Sequence, residues 1–385
     1  MNYALTTLWH ERQRYFPGVL AVTFSALLIA LQCGLLLGLL SITSIPIDYT
    51  RADIWIGSQD IPSVDLGQTI PMSYVGRLVP ENPEIDPASI EPYIEAFGKW
   101  KKPAGGTSLC VILGSKLEDD ACGAIQALTP EYRQRLTEPD SVIIDRSELS
   151  RLGLDDGVGQ TAEILGKKVR VVGMVNGYKS LAGAYVFCSL TTARKLLNLK
   201  PDQTTYLLAR CYDRTKAQMV VQRLRKRYEQ NVDPQKLKDM SAMTSEEFSW
   251  RSQMHWLRTT MAGVAIGYTA MLGLLVGAVV TSQTLYAATV ASIRELAILR
   301  ALGIPRWRMI SAVVSQSFWV GLIGVVIAVP TIYGLSRLAE FAGARVLLPE
   351  WLLASVLGVT LATALLAGLF ALRSLRHVEP ANLLR

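Results

Sequence analysis

Histidine is almost absent from the sequence: three residues in 385, His10, His255 and His377, all beside long apolar segments. That leaves no basis for imidazole-centred catalysis. No C-x-x-C spacing and no Cys/His cluster occurs, so no metal is expected. The G-x-x-x-x-G-K-[ST] loop that cradles nucleotide phosphates is missing too. The nearest run, "LGKK" at 165–168, lacks the upstream glycine, so the chain cannot bind ATP in that way. No nucleophile–base pair or carboxylate constellation stands out, which argues against an enzyme.

The most telling scarcity is local. Hydrophobic residues make up 50% of the chain and mean hydropathy is +0.27, high for a soluble protein. Charge is withheld entirely from Tyr15 to Ile47, Thr259 to Ile293, Met309 to Ser336 and Trp351 to Leu372. A run of about 20 apolar residues crosses the ~30 Å hydrocarbon layer as a helix. A cleaved signal peptide is a poor reading of the first run, which far exceeds the ~7–15 apolar residues of a signal core. The expected fold class is therefore a membrane α-helical protein with four transmembrane helices and a large α+β extracytoplasmic domain between the first and second.

Arginine and lysine set the orientation. Arg12 and Arg14, the arginines of 292–309, and Arg373, Arg376 and Arg385 place both termini and that loop in the cytoplasm. The expected layout is a cytoplasmic interfacial helix over 1–14, spans over 15–47, 259–288, 309–336 and 351–372, a periplasmic domain over 48–258, a cytoplasmic loop over 289–308, a short periplasmic hairpin over 337–350 and a cytoplasmic tail over 373–385. The net charge of +7 needs no nucleic acid, because its excess lies beside the anionic inner face of the lipid bilayer.

Within the outer domain, strand patterns occur at 54–56, 109–113, 141–144, 169–175, 185–188 and 205–210, with helical segments at 128–136, 146–154, 190–199 and 215–230. The last is amphipathic, with Met219, Val220 and Leu224 on its expected buried side. Cys110 and Cys122 form a possible disulfide in an oxidising compartment; Cys188 and Cys211, in strand-like surroundings, read as buried thiols. From Met243 a helix bearing Phe248, Trp250, Met254 and Trp256 is expected to run unbroken into the second span. Glycines recur in the spans, among them Gly263, Gly267, Gly273, Gly277, Gly321, Gly324, Gly358 and Gly368, and would let helices approach closely.

The loop "SIRELAILRALGIPRWRM" (292–309) interrupts this charge-free region. On a helix over 292–302, Val290, Ile293, Ala297 and Ala301 share one side while Leu296, Leu299 and Leu302 lie on the other. A purely topological basic loop explains the arginines but not those leucines. A short helix apolar on more than one side needs two surfaces, the span ends and a groove in another protein. Gly303 and Pro305 then end it.

"SIRELAILRALGIPRWRMI" resembles the cytoplasmic loop of the FtsX/MacB superfamily of ABC-transporter permeases. The tail "LRSLRHVEPANLLR" and, in the outer domain, "VIIDRSELSRLGLDDGVGQTAEILGKKVRVVGMV" are similar to further parts of that family, and the N-terminal run is most like its DevC-like branch. The resemblance implies a bacterial inner-membrane permease whose 292–302 segment is a coupling helix in a cleft of a separate ATPase subunit, with Arg294, Glu295, Ile298, Leu299, Arg300, Ala301, Leu302 and Gly303 at the contact. ATP and Mg would be bound by that ATPase. It further implies a homodimer, mechanotransmission to the outer domain, and export of a lipid, glycolipid, drug-like or peptide substrate with a membrane-fusion protein and an outer-membrane channel. Other members of the family activate a cell-envelope enzyme without transport or release lipoproteins, and both remain alternatives.

Overall fold

The computed structural model describes residues 10, 12–74, 82–230, 240–291, 305–341 and 344–375. In chain order these form helix α1 (Arg12–Thr43), a helical turn Ile45–Asp48, strands β1 (Ile54–Ser58), β2 (Ile70–Pro71), β3 (Glu91–Lys101) and β4 (Thr107–Ser115), helix α2 (Pro130–Leu136) and strand β5 (Ser141–Asp145). Then come β6 (Thr161–Ile164), β7 (Lys167–Val175), β8 (Ala184–Ser189), α3 (Leu190–Leu197), β9 (Gln203–Thr204), β10 (Tyr206–Ala209), α4 (Ala217–Gln230) and β11 (Met240–Thr244). Helices α5 (Ser245–Thr259), α6 (Ala262–Ala291), α7 (Arg306–Phe341) and α8 (Glu350–Leu375) complete it. The chain divides into two units, Met1–Leu39 with Thr260–Arg385, and Leu40–Thr259.

Stretches long and apolar enough to cross a membrane occur in α1, α6, α7 and α8: Tyr15–Thr43, Gly263–Thr284, Val313–Phe341 and Glu350–Leu369. The third apolar helix carries on past Ser336 to Phe341 without a break at Pro330. Small residues bring these helices together, as the glycine pattern suggests. A methyl group on Gly277 would fall 2.0 Å from Ser25 Oγ, one on Gly368 2.0 Å from Ser317 Oγ, and one on Gly324 2.7 Å from Val22. Gly267 and Gly358 have nothing within 4 Å and play no such part here. Across α1 and α6, Thr269 donates a hydrogen bond to Gln32 Oε1 at 3.1 Å. Of the interfacial helix expected over 1–14, residues 1–9 and 11 lie outside the described residues, and residues 12–14 are the start of α1.

The second unit is built on a nine-stranded sheet ordered β11-β1-β10-β3-β4-β8-β5-β7-β6, in which β6 also pairs with β3. That last pairing, Trp100 with Ile164 and Lys101 with Glu163, closes β3, β4, β8, β5, β7 and β6 into a ring. Alternation along each strand then gives the wall two faces. Ile112, Ile144, Ile164, Val186 and Trp100 fill the inside, and the Trp100 indole donates to Leu152 O at 3.1 Å. Val111, Leu113, Ile143 and Phe187 face outward into a second core that holds Ile45, Ile47, Trp55 and Phe248. A third core lies under α4 against β1, β10 and β11.

Two expectations are corrected here. Cys110 and Cys122 are free thiols, and they cannot meet because they lie on opposite sides of the wall: Cys110 with the inner core, Cys122 with the outer one. The helix from Met243 is not continuous with the second span. It stops at Thr259, where two successive β-branched residues weaken it, and Met261 takes a left-handed conformation (φ 54°) before α6 begins. A smaller correction concerns α4: Val220, Val221 and Leu224 are buried while Met219 is exposed.

Candidate functional site

The residues singled out for ATPase contact, Arg294, Glu295, Ile298, Leu299, Arg300, Ala301, Leu302 and Gly303, all lie outside the described residues. What the structure describes is the root of the domain formed by residues 40–259. There the chain segment leaving α1 and helix α5 are tied to the sheet through polar side chains.

The ties begin with the sequence. Pro46 follows Ser44, and a short helical turn replaces the long helix. Ser44 donates to Asp48 Oδ2 at 2.6 Å and accepts from Gln253 Nε2 at 2.9 Å, which places α5 against the turn. From the neighbouring position on α5, Ser252 Oγ accepts the Val64 backbone N–H at 3.1 Å. The Trp256 indole donates to Ser63 Oγ at 3.1 Å and to Asp65 Oδ1 at 3.3 Å. Segment 61–67 is thereby clamped between α5 and the sheet, and on the sheet side Tyr206 donates its hydroxyl to Val64 O at 2.5 Å. Beneath it Trp55 meets Tyr93 and Tyr206 at centroid distances of 5.4 Å and Phe248 at 5.6 Å. Ring contacts of this geometry add roughly 0.5–1.5 kcal/mol each beyond their buried area.

A cavity of about 10 Å³ opens beside Asp65, lined by Thr43, Val111, Ser180, Tyr185 and Trp256 among others. It has room for about one water molecule and none for a transported substrate.

Two glutamates of β3 are buried in the outer core. Glu91, 2% exposed, accepts the backbone N–H of Gly123. Burial pushes its carboxyl up to about 7 against the pull of that hydrogen bond. Glu95 is fully buried, and its carboxyl is held well above the usual range by burial and by Asp65. Burial likewise pushes the Cys110 thiol up to about 12 and Cys122 to about 11, so neither offers a thiolate for chemistry. Among the described residues no group of three or more His, Cys, Asp or Glu side chains could hold a metal ion.

Of the clamp residues, sequence reasoning named only Trp256, as an aromatic of the helix from Met243, and not its hydrogen bonds to segment 61–67. Ser252 and Gln253 lie four and three residues before Trp256 and so flank it on one helical face, the one signal that marks them. The aromatics of α5 divide: Phe248 is buried in the core, Trp256 hydrogen-bonds to segment 61–67, and Trp250 is 62% exposed.

Residues 267–380 match the family model described as FtsX-like permease C-terminal. No curated protein matches the chain. Among solved structures, the periplasmic region of MacB from Actinobacillus actinomycetemcomitans is 14% identical and covers 52% of this chain and 92% of its own, with a TM-score of 0.35. The extracellular domain of the noncanonic ABC-type transporter YknZ from Gram-positive bacteria is 8% identical and covers 50% of this chain and 98% of its own, with a TM-score of 0.32.

Proposed function

Residues 267–380 belong to the FtsX-like permease family, and on that premise we propose that the chain is the membrane subunit of an ABC exporter of the bacterial inner membrane. It works as a homodimer with separate ATPase subunits that bind ATP and Mg. The family match is the observation that carries this reading, and the long domain between the first two of four apolar helices supports it. Residues 294–303 dock in the ATPase. Leu296, Leu299 and Leu302 supply apolar anchors, and Arg294, Glu295 and Arg300 fix the register. Closure of the ATPase pair displaces this loop, and the helices that flank the outer domain transmit the displacement outward. A substrate of lipid, glycolipid, drug-like or peptide character is then driven across the periplasm with a membrane-fusion protein and an outer-membrane channel. The charge-free spans support a mechanism in which the substrate does not pass between them, since a polar route needs intramembrane ionisable groups.

The test is co-purification with the cognate ATPase and ATPase activity in lipid, comparing wild type with Leu299→Asp/Arg300→Glu. The double variant is expected to insert normally, to lose the ATPase on purification and to lower its activity at least about tenfold, the size of effect expected for a disrupted apolar and charged anchor. Unchanged binding and activity would sink the docking role of this loop.

A further inference from the structure

Glu95 is a group in the domain root whose environment contradicts its chemistry. It sits in β3 opposite Leu113, is 0% exposed, and neither of its carboxyl oxygens has a hydrogen-bond partner among the described residues. Its backbone N–H is satisfied by Thr205 Oγ1 at 3.3 Å, so the orphaned atoms belong to the side chain alone. A buried carboxylate with no donor carries a desolvation cost of several kcal/mol, whereas the neutral acid costs far less.

The groups that face it add no counter-charge. Tyr93 comes from its own strand, Tyr185 from β8, Tyr206 from β10, and Asp65 from the 3-10 turn Val64–Leu66 laid over the sheet. Asp65 is differently provided for: it accepts from Ser63 at 2.5 Å and from the Trp256 indole at 3.3 Å. Of two carboxyl groups facing one another, the one with donors holds a charge and the one without holds a proton.

That arrangement makes the proton part of the clamp. The strands around Glu95 are locked by ladders on both sides, while segment 61–67 has no ladder and is held by the buried Ile61 and Val64 side chains and a handful of side-chain hydrogen bonds. It is the element free to retreat when a second negative charge appears beside Asp65, and its retreat admits water to both carboxylates. We propose that Glu95 is a proton-binding site of the outer domain: the proton is held while segment 61–67 is seated, and its loss drives that segment off the sheet and off Ser252 and Trp256 of α5. The sign follows from linkage. Seating is strongest below the ordinary glutamate value and weakens as pH rises toward the raised one, by about tenfold in the seating equilibrium per pH unit for a single proton.

The experiment uses the full chain in lipid nanodiscs. Backbone hydrogen exchange of peptides covering 61–67 is followed from about pH 5 to about pH 9, corrected for the intrinsic pH dependence of exchange. In wild type, protection is expected to fall with pH at up to about tenfold per unit; in Glu95→Gln it should stay flat. The infrared spectrum at neutral pH supplies a second readout: the wild-type minus Glu95→Gln difference should contain a protonated-carboxyl carbonyl band, the Glu91 contribution being common to both. If that variant does not fold, Asp65→Asn keeps Glu95 and removes the facing charge, and is expected to show a smaller total loss of protection. Flat protection in wild type, the same slope in Glu95→Gln, or no Glu95 carbonyl band overturns the proposal.

Discussion

A single carboxyl can make a whole domain answer to pH, and Glu91 is placed to do so in the neutral range. Its folded-state value of about 7 lies above the ordinary glutamate value of about 4.3. The folded form therefore binds the proton more tightly than the unfolded one. Stability from this residue is complete below the ordinary value, declines as pH rises toward about 7, and is level beyond, a total of roughly 4 kcal/mol. Glu91→Gln keeps an acceptor for the Gly123 N–H and removes the titration. Thermal unfolding midpoints measured at acid and at mildly alkaline pH should differ less in the variant than in wild type, and an equal difference would show that Glu91 does not titrate there. Both glutamates escaped sequence reading for one reason. A carboxylate in a strand reads as a solvent-facing position, and in "EPYIEAFGKWK" two of them break the apolar alternation. The longest strand of the domain, β3, was missed with them.

At the level of elements, packing is decided where backbone approaches backbone. Gly38 of α1 lies so close to the 344–348 segment that an added methyl carbon would fall 1.8 Å from the Arg345 carbonyl oxygen. No flexible side chain can swing aside there, so Gly38→Ala must move main chain and is expected to cost about 1–3 kcal/mol. Gly267→Ala, with nothing within 4 Å, is the control. Detergent-solubilised thermal stability of the two variants should separate them, and equal stability would mean that α1 does not contact 344–348. This scale was the most legible in the sequence. The absence of charge fixes membrane helices because one misplaced arginine costs kcal/mol, and strands such as "VII" (142–144) and "YVFC" (185–188) are unbroken runs of apolar and β-branched residues. What could not be read was closure of the barrel: Trp100 and Ile164 pair across 64 positions, and nothing local marks them as partners.

For the molecule as a whole, the basic flanks of the spans predict an outer domain facing away from the cytoplasm. The domain's own thiols assist the test, since Cys110, Cys122, Cys188 and Cys211 are each no more than 5% exposed. Tyr212 is 72% and Trp307 65% exposed. In intact spheroplasts a membrane-impermeant maleimide should label Tyr212→Cys and leave Trp307→Cys untouched until the membrane is opened. The reverse pattern would invert the topology. Sequence reading placed the domain correctly between the first two apolar helices, while the seating of its root was invisible because Ser44, Ser63, Asp65 and Gln253 are individually ordinary polar residues.

The strand pair through which the chain enters and leaves this domain has a mechanical consequence. β1 and β11 lie side by side and antiparallel, with Ile54 opposite Thr244 at the end where both connections depart. Prying the connections apart would load that ladder one rung at a time, beginning at Ile54 and Thr244, and hydrogen bonds that fail in sequence give way under small forces. Driving both connections in the same direction along the strands moves the two strands together and puts no load on the rungs between them. The domain is thus a selective clip, stiff toward thrust shared by its two stems and weak toward a wedge between them.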